Sequence, residues 1–422
     1  MKFKQITDTK RASLILFISS WIIYAIVSMT KSAYSASIAS IISEGIFDKS
    51  QAGVINASFY FFYGTAQLVG VKLVDKIQPS RLVNITLIGT AVSVLGMAFS
   101  KNFVAMLIFW SFCGLIQFAI WPAILRIITE FLHPKHTFSA MSAISFCYCG
   151  GMLLNYFFAS IMLAISRWQS LFLLFFVILI LTFIAWRIVV LKTKSACVTL
   201  HYEYQKHLYD DKDEPSESKK SHSFSKILLS SGLILLLVPS FMRTALDVGV
   251  KAWVPTMITE SYRGISPSFA NVLTTVIVFV NLGGIFIAGV LYPRITKNSF
   301  FASGLCFLIA LPFTVALLLI GKISVAPIVI FLAIITTMMY AAHQLIDVII
   351  PAHFSKYGHS GSIASIVNAI ASYGAVVANI LFGVVAQKYG WNVTIVFWIV
   401  FAGIAVVLST VAAPIWKRFS KE

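Results

Sequence analysis

The sequence predicts an all-α membrane protein with about twelve transmembrane helices in two pseudo-symmetric six-helix bundles. Three observations carry this. First, the 422-residue chain is 59% hydrophobic and only 11% charged, with mean hydropathy +0.90. Soluble domains run at about 45–50% apolar and about 25% charged, so a water-soluble chain of this composition could not cover its surface with polar groups. Second, the apolar runs are continuous over about 20 residues, as in LILFISSWIIYAIVSM, which suits helices; a β-barrel needs alternating segments of about 10. Third, one long hydrophilic segment, Lys192 to Lys226, divides the chain into equal sets of spans.

Taken in order, the spans fall at 12–44, 51–72, 82–100, 103–128, 138–162 and 168–190, then 227–259, 267–292, 299–320, 325–350, 360–386 and 391–415. The first follows Lys2, Lys4, Lys10 and Arg11 like a signal peptide. It is too long for a signal h-region, and no small-residue cleavage site follows it. Spans one and seven are long and more polar in their second halves, so they tilt or project beyond the lipid. The segment 192–226, with YDDKDEPSESKKSHS, has too little apolar surface to fold alone. The expected organisation is an N-terminal bundle over 1–191, a linker over 192–226 and a C-terminal bundle over 227–422.

The net charge of +17 is explained by topology. Assigning the termini, the linker and every even-to-odd loop to one side gives that side 23 lysines and arginines and the other side 6. The positive-inside rule places the first side, with both termini, in the cytoplasm. A bacterial inner membrane is the expected location. The bilayer is the expected partner of the basic residues, not nucleic acid, and the chain is expected to be monomeric. The three remaining cations, Lys31, Arg243 and Lys251, lie inside spans one and seven.

The halves echo each other. IISEG and MITES place Glu44 and Glu260 216 positions apart, the separation that also relates Lys31 to Asp247. Arg167-Trp168 opens span six and Gly390-Trp391 opens span twelve. Tyr148 precedes Cys149-Gly150-Gly151, and Tyr373 precedes Gly374-Ala375. Repeated six-helix halves are a transporter architecture with the substrate site between them near mid-membrane.

Several patches resemble the major facilitator superfamily, and within it the organophosphate:phosphate antiporters, which carry glycerol phosphate and hexose phosphates. QFAIWPAILRIITEF spaces Gln117, Trp121, Pro122 and Arg126 as in that family's fourth helix. FYFFYGTAQLVG with Tyr63-Gly64, the helix starts RWQSLF and YGWNVT, and the Gly-rich fifth and eleventh spans add to it. The resemblance implies an anion site built on one basic residue in helix one and one in helix seven. Lys31 falls on the first position. The second, counted back from the Trp-x-Pro-Thr of AWVPT, falls on Asp247, with Arg243 one turn before it and Lys251 one turn after. A helix-two lysine of the family appears as Gln67, and its helix-five histidine is replaced, with Cys147 or Tyr148 nearest. The cytoplasmic loop motif keeps Asp75-Lys76 and Arg81, with Gly70 displaced by one residue and Pro293 where the second half would carry an acid. The family's inner gate implies Asp75 and Arg126 as gate residues.

Charges at the bilayer centre cost about 2.5–3.5 kcal/mol each on insertion scales, so intramembrane charge argues for function. Arg243, Asp247 and Lys251, spaced i, i+4, i+8, are expected on one helical stripe. Asp247 either neutralises its neighbours, pairs with Lys31 across the halves, or takes up a proton. His343 and Asp347 form a second i, i+4 pair, with Asp347 another proton-coupling candidate. Tyr34 shares the helix-one face with Lys31. Gln117, Gln67, Trp121, Tyr148 and Tyr373 complete the candidate substrate-binding set, the glutamines and Tyr373 having the plainer reading of interhelical contacts.

Among the cysteines, Cys147 and Cys149 form C-x-C, which is neither a zinc nor a thioredoxin spacing. No metal cluster, cofactor motif or nucleophile triad is seen, so no enzyme is expected. The sequence points to a secondary carrier of a small organic anion, such as a phosphorylated metabolite exchanged for phosphate. Two readings stay open beside it: a proton-coupled symporter of a carboxylate or zwitterion, and a non-transporting sensor on a carrier fold.

Overall fold

The computed structural model describes residues 6–70, 76–132, 134–213, 230–320, 324–354 and 360–420. Among these residues the regular structure is entirely helical. Ten helices are long and apolar enough to cross a membrane. A further helix at Lys49–Val69, and a division of the last one at Gly390 (φ 81°), bring the number to twelve.

In the first half these are α1 (Thr9–Ser43), α2 (Lys49–Val69), α3 (Pro79–Phe99), α4 (Phe103–Phe131), α5 (Pro134–Ile165) and α6 (Trp168–Asp213). In the second they are α7 (Leu233–Ser261), α8 (Pro267–Thr296), α9 (Ser299–Ile320), α10 (Val325–His353), α11 (360–389) and α12 (391–419). The starts follow ordinary capping chemistry. The Asp8 carboxylate accepts from the backbone N–H of Lys10 and Arg11, Asp48 and Gln51 close a capping box, and Asn102 and Ser266 cap α4 and α8.

The stretch 192–213, assigned to the linker, is helix, because α6 runs 46 residues without interruption. No glycine or proline falls between Trp168 and Asp213, and a helix already nucleated in the membrane extends cheaply. At 1.5 Å per residue it is roughly 69 Å long, about twice the hydrocarbon thickness, so its second half stands clear of the lipid.

Each half packs on itself, α1 against α5 and α2 against α4 in the first, α7 against α11 and α9 against α12 in the second. The halves meet along two equivalent seams, α2 on α11 and α5 on α8, and through the second halves of α1 and α7. The pseudo-symmetry reaches individual atoms. A side chain on Gly151 of α5 would collide with the Ala25 carbonyl of α1, and one on Gly374 of α11 with the Phe241 carbonyl of α7. Ala25 and Phe241 are again 216 positions apart.

Several hydrogen bonds between the halves lie near the membrane centre or toward the side away from the termini. Asn56 donates to Asn379 (2.6 Å), Tyr156 to the Lys251 carbonyl (2.9 Å), Asn271 to the Ala36 carbonyl (3.0 Å) and Ser268 to the Ser160 carbonyl (2.7 Å). At the far end Lys49 bridges to Glu260 at 2.8 Å, and Glu260 also accepts from the Trp391 indole N–H at 2.8 Å. The seam is closed on the side opposite the termini.

Candidate functional site

The helices that begin each three-helix repeat, α1, α4, α7 and α10, are all interrupted midway. The α1 helix breaks at Ser32, immediately after Lys31; the Ser32 carbonyl accepts both from the Ala36 backbone N–H at 3.1 Å and from the Asn155 side-chain amide of α5 at 3.0 Å. The α4 helix breaks between Gln117 and Ile120. In α7 a π-helical turn covers Ala245–Gly249, and in α10 another covers Gln344–Ile349. Such turns are uncommon and concentrate at functional sites. Each of these two holds an aspartate, Asp247 or Asp347.

The charges pair differently from the single stripe expected. Lys251 Nζ lies 2.6 Å from Asp247 Oδ1, as i, i+4 spacing predicts. Arg243 does not join them. Its Nη2 lies 2.6 Å from Asp347 Oδ2 on α10 and 2.6 Å from the Thr244 hydroxyl. The π turn lies between Arg243 and Lys251, and its i→i+5 bonding carries one extra residue, which offsets the helix faces on its two sides. All four side chains are at most 5% exposed. His343 Nδ1 stands 2.5 Å from the same Asp347 oxygen, and the Ser240 hydroxyl donates to the other at 3.4 Å. The Arg243 Nε–H has no hydrogen-bond partner among the described residues, which leaves a donor for a ligand.

Lys31 stands apart. Its Nζ sits 3.9 Å from the centre of the Tyr63 ring, with Tyr148 at 5.7 Å and Phe59 and Tyr60 at 5.9 Å. Ring faces attract a cation but leave its charge uncancelled. Among the described residues no carboxylate pairs with it, so of the three readings of Asp247 the bridge to Lys31 is not the one made; Asp247 lies against Lys251. Tyr148 joins the halves: its ring lies 6.3 Å from that of His343. Lys31, Tyr63, Tyr148 and His343 are each half-buried although helices of both halves surround them. They therefore face a central cavity.

The other candidates divide. Gln117 is buried and donates to Thr30 Oγ1 at 3.0 Å, tying α4 to α1 beside Lys31. Tyr373 is hydrogen-bonded to Thr65 at 3.0 Å and ties α11 to α2. Trp121 packs on Tyr24 of α1 at 5.2 Å, and Gln67 is half-buried on α2. Tyr34 is fully buried against Trp110 at 5.8 Å, so its place is in the packing of the first bundle, away from the cavity. Arg126 donates to Glu130 and to the Ile77 carbonyl, both at 2.8 Å; its proposed gate partner Asp75 lies outside the described residues. Sequence reasoning missed the ring cage of Phe59, Tyr60 and Tyr63, and the hydroxyls of Ser240 and Thr244. Five consecutive aromatics, Phe59 to Tyr63, were the available signal.

Two helical bundles meeting around a buried charged centre, with broken helices at its level, define a membrane carrier. The Major Facilitator Superfamily model matches residues 16–342, and the chain belongs to that family. It is 23% identical to the "Probable hexose phosphate transport protein" of Chlamydia trachomatis serovar D, over 95% of this chain and 90% of the relative. It is 22% identical to the protein of the same name from Chlamydia muridarum over the same shares. A shorter similarity, 26% over 27% of the chain and 26% of the relative, links it to "Membrane sensor protein UhpC" of Salmonella typhimurium. Among solved structures, the inward-facing, unoccupied form of a bacterial homologue of the human lysosomal transporter Spinster superimposes with TM-score 0.78 at 14% identity, covering 96% of this chain and 98% of that one. That likeness concerns the fold.

Proposed function

We propose that this chain is a secondary carrier of a small organic anion, with a phosphorylated hexose as its best-supported substrate and phosphate as exchange partner. The observation that carries the reading is Lys31, a cation at membrane depth that no described carboxylate neutralises, facing Tyr148 and His343 across the cavity. A charge held there without a partner is costly unless an anion completes it. Arg243, with its free Nε–H, supplies the second donor from the opposite half. The names of the two chlamydial relatives, matched over nearly the whole chain, favour hexose phosphate among organic anions. The excess of lysine and arginine on the terminal side supports cytoplasmic termini in a bacterial inner membrane. The seam closed at Lys49–Glu260 then belongs to the external side.

The His343–Asp347 contact favours one further reading, in which a proton accompanies the anion. Proteoliposomes loaded with phosphate and offered labelled hexose phosphate separate the two. Exchange that is saturable and independent of an imposed proton gradient is expected. Uptake only under a proton gradient would replace exchange by symport, and no uptake of any organic anion would leave the sensor reading.

A further inference from the structure

We infer that Asp347 is a built-in competitor of the substrate: its carboxylate holds Arg243 while the site is empty, the phosphoryl group of the substrate displaces it, and the exchange unties α10 from α7. The inference rests on the organic-anion reading above, with Arg243 as the second donor.

The guanidinium geometry carries it. An arginine binds a phosphate through a fork of two neighbouring N–H groups. On Arg243 that fork is half used. Nη2 lies 2.6 Å from Asp347 Oδ2 and 2.6 Å from the Thr244 hydroxyl, whereas the buried Nε–H has no partner among the described residues. One carboxylate oxygen on Nη2 leaves the other arm of the fork unfilled. A phosphoryl group, with several oxygens, fills both and satisfies a donor that is otherwise buried at a cost. Asp347 itself is 2% exposed, so a ligand reaches this fork as the acid swings aside.

The displaced acid keeps partners of its own. Asp347 Oδ2 also stands 2.5 Å from His343 Nδ1, and its other oxygen accepts from the Ser240 hydroxyl at 3.4 Å. Neither contact needs Arg243. Asp247 cannot play the same part. It is paired at 2.6 Å with Lys251 of its own helix, and opening that pair would release no second helix. The Arg243–Asp347 contact joins α7 to α10, beside the π turns Ala245–Gly249 and Gln344–Ile349. Helices bend at such turns. Breaking the tie there lets the substrate change the shape of the second bundle. The consequence for affinity is direct: the substrate binds only the fraction of carriers in which Arg243 is free, and the tethered acid takes Arg243 back when the anion is released. Asp347 is thus a positioning residue that acts through Arg243.

The test uses the full chain and reads binding separately from turnover. Asp347→Asn removes the competing carboxylate, and the Kd of hexose phosphate in calorimetric titration is expected to fall about tenfold or more, the range for a contact to a charged group. The maximal rate of phosphate exchange in proteoliposomes is expected to fall as well, because release loses its competitor. A residue that merely held Arg243 in place would raise Kd on removal. A raised or unchanged Kd, or a tighter Kd at the full exchange rate, overturns the inference. A second measurement leaves Asp347 in place. Spin labels at Ile234 on α7 and Ala352 on α10, both exposed and on the terminal side of the π turns, report the tie between the helices. Saturating hexose phosphate or inorganic phosphate is expected to shift their distance distribution by about 2 Å, and the neutral hexose to leave it in place. A distribution that neither phosphate shifts, or that the neutral hexose shifts equally, overturns the inference even where Asp347→Asn does not fold. Absence of binding for every organic anion would instead overturn the organic-anion reading on which it rests.

Discussion

Lys31 and Arg243 meet the same need in different ways. Lys31 rests among aromatic rings, and Arg243 is held by Asp347. Removing either changes binding, but only the second removal orphans a buried acid. Arg243→Ala leaves Asp347 without its cation at 2% exposure, and breaking a buried pair from one side costs about 3–5 kcal/mol. The double variant Arg243→Ala/Asp347→Ala is expected to recover most of that loss, measured as the thermal inactivation midpoint in detergent. Equal midpoints for single and double variants would refute the pairing. The candidates themselves were legible in the sequence, because a charge inside an apolar run is conspicuous. The partner of Arg243 was not. Helical spacing points to Asp247, four residues away, whereas the observed partner lies on another helix, and the π turn that offsets the helix faces carries no sequence signature. The cage around Lys31 was half legible, since the run Phe59 to Tyr63 announces aromatic surface but not what that surface faces.

At the level of elements, the breaks in α1 and α7 are held from α5. Asn155 gives the Ser32 carbonyl a second donor beside the Ala36 N–H, and Tyr156, the next residue, donates to the Lys251 carbonyl. That second carbonyl is free because Pro255, four residues on, has no N–H to offer it. One short stretch of α5 thus supports both cation-bearing helices. Tyr156→Phe leaves a buried carbonyl unsatisfied, at about 1–3 kcal/mol. It is expected to lower the inactivation midpoint and weaken substrate binding together, whereas an unchanged midpoint would show the bond to be dispensable. Gly374→Leu, at the contact with the Phe241 carbonyl, is expected to abolish the folded carrier, read as loss of monodisperse protein on size-exclusion chromatography. The spans were readable because hydropathy is additive along a helix. The breaks were not; at α1 and α7 the neighbouring α5 brings donors that hydropathy does not reveal. The length of α6 was also hidden, because composition argues against independent folding but not against extension of a helix already formed.

Across the whole molecule, the two-half plan was visible in the 216-residue echo, and the structure repeats it in the paired seams. The conformational state was not visible, for it is set by weak contacts between halves. Glu260 is the hub of the closed side, taking Lys49 from the other half and Trp391 from its own. An exposed pair alone contributes at most about 1 kcal/mol, and the added indole bond brings the group to about 1–2 kcal/mol. Glu260→Gln is therefore expected to raise the share of molecules open on that side about five- to thirty-fold. Distance distributions between spin labels at Glu44 and Arg263 report it, and an unaltered distribution would remove Glu260 from the gate. The central claim is that an anion binds at mid-membrane on Lys31 with help from Arg243. Calorimetric titration of hexose phosphate into the purified carrier tests it most directly. Lys31→Ala loses a charged contact of about 1.5–3 kcal/mol, so Kd is expected to rise about 10- to 150-fold in a protein whose inactivation midpoint is unchanged; wild-type affinity in that variant would contradict the account.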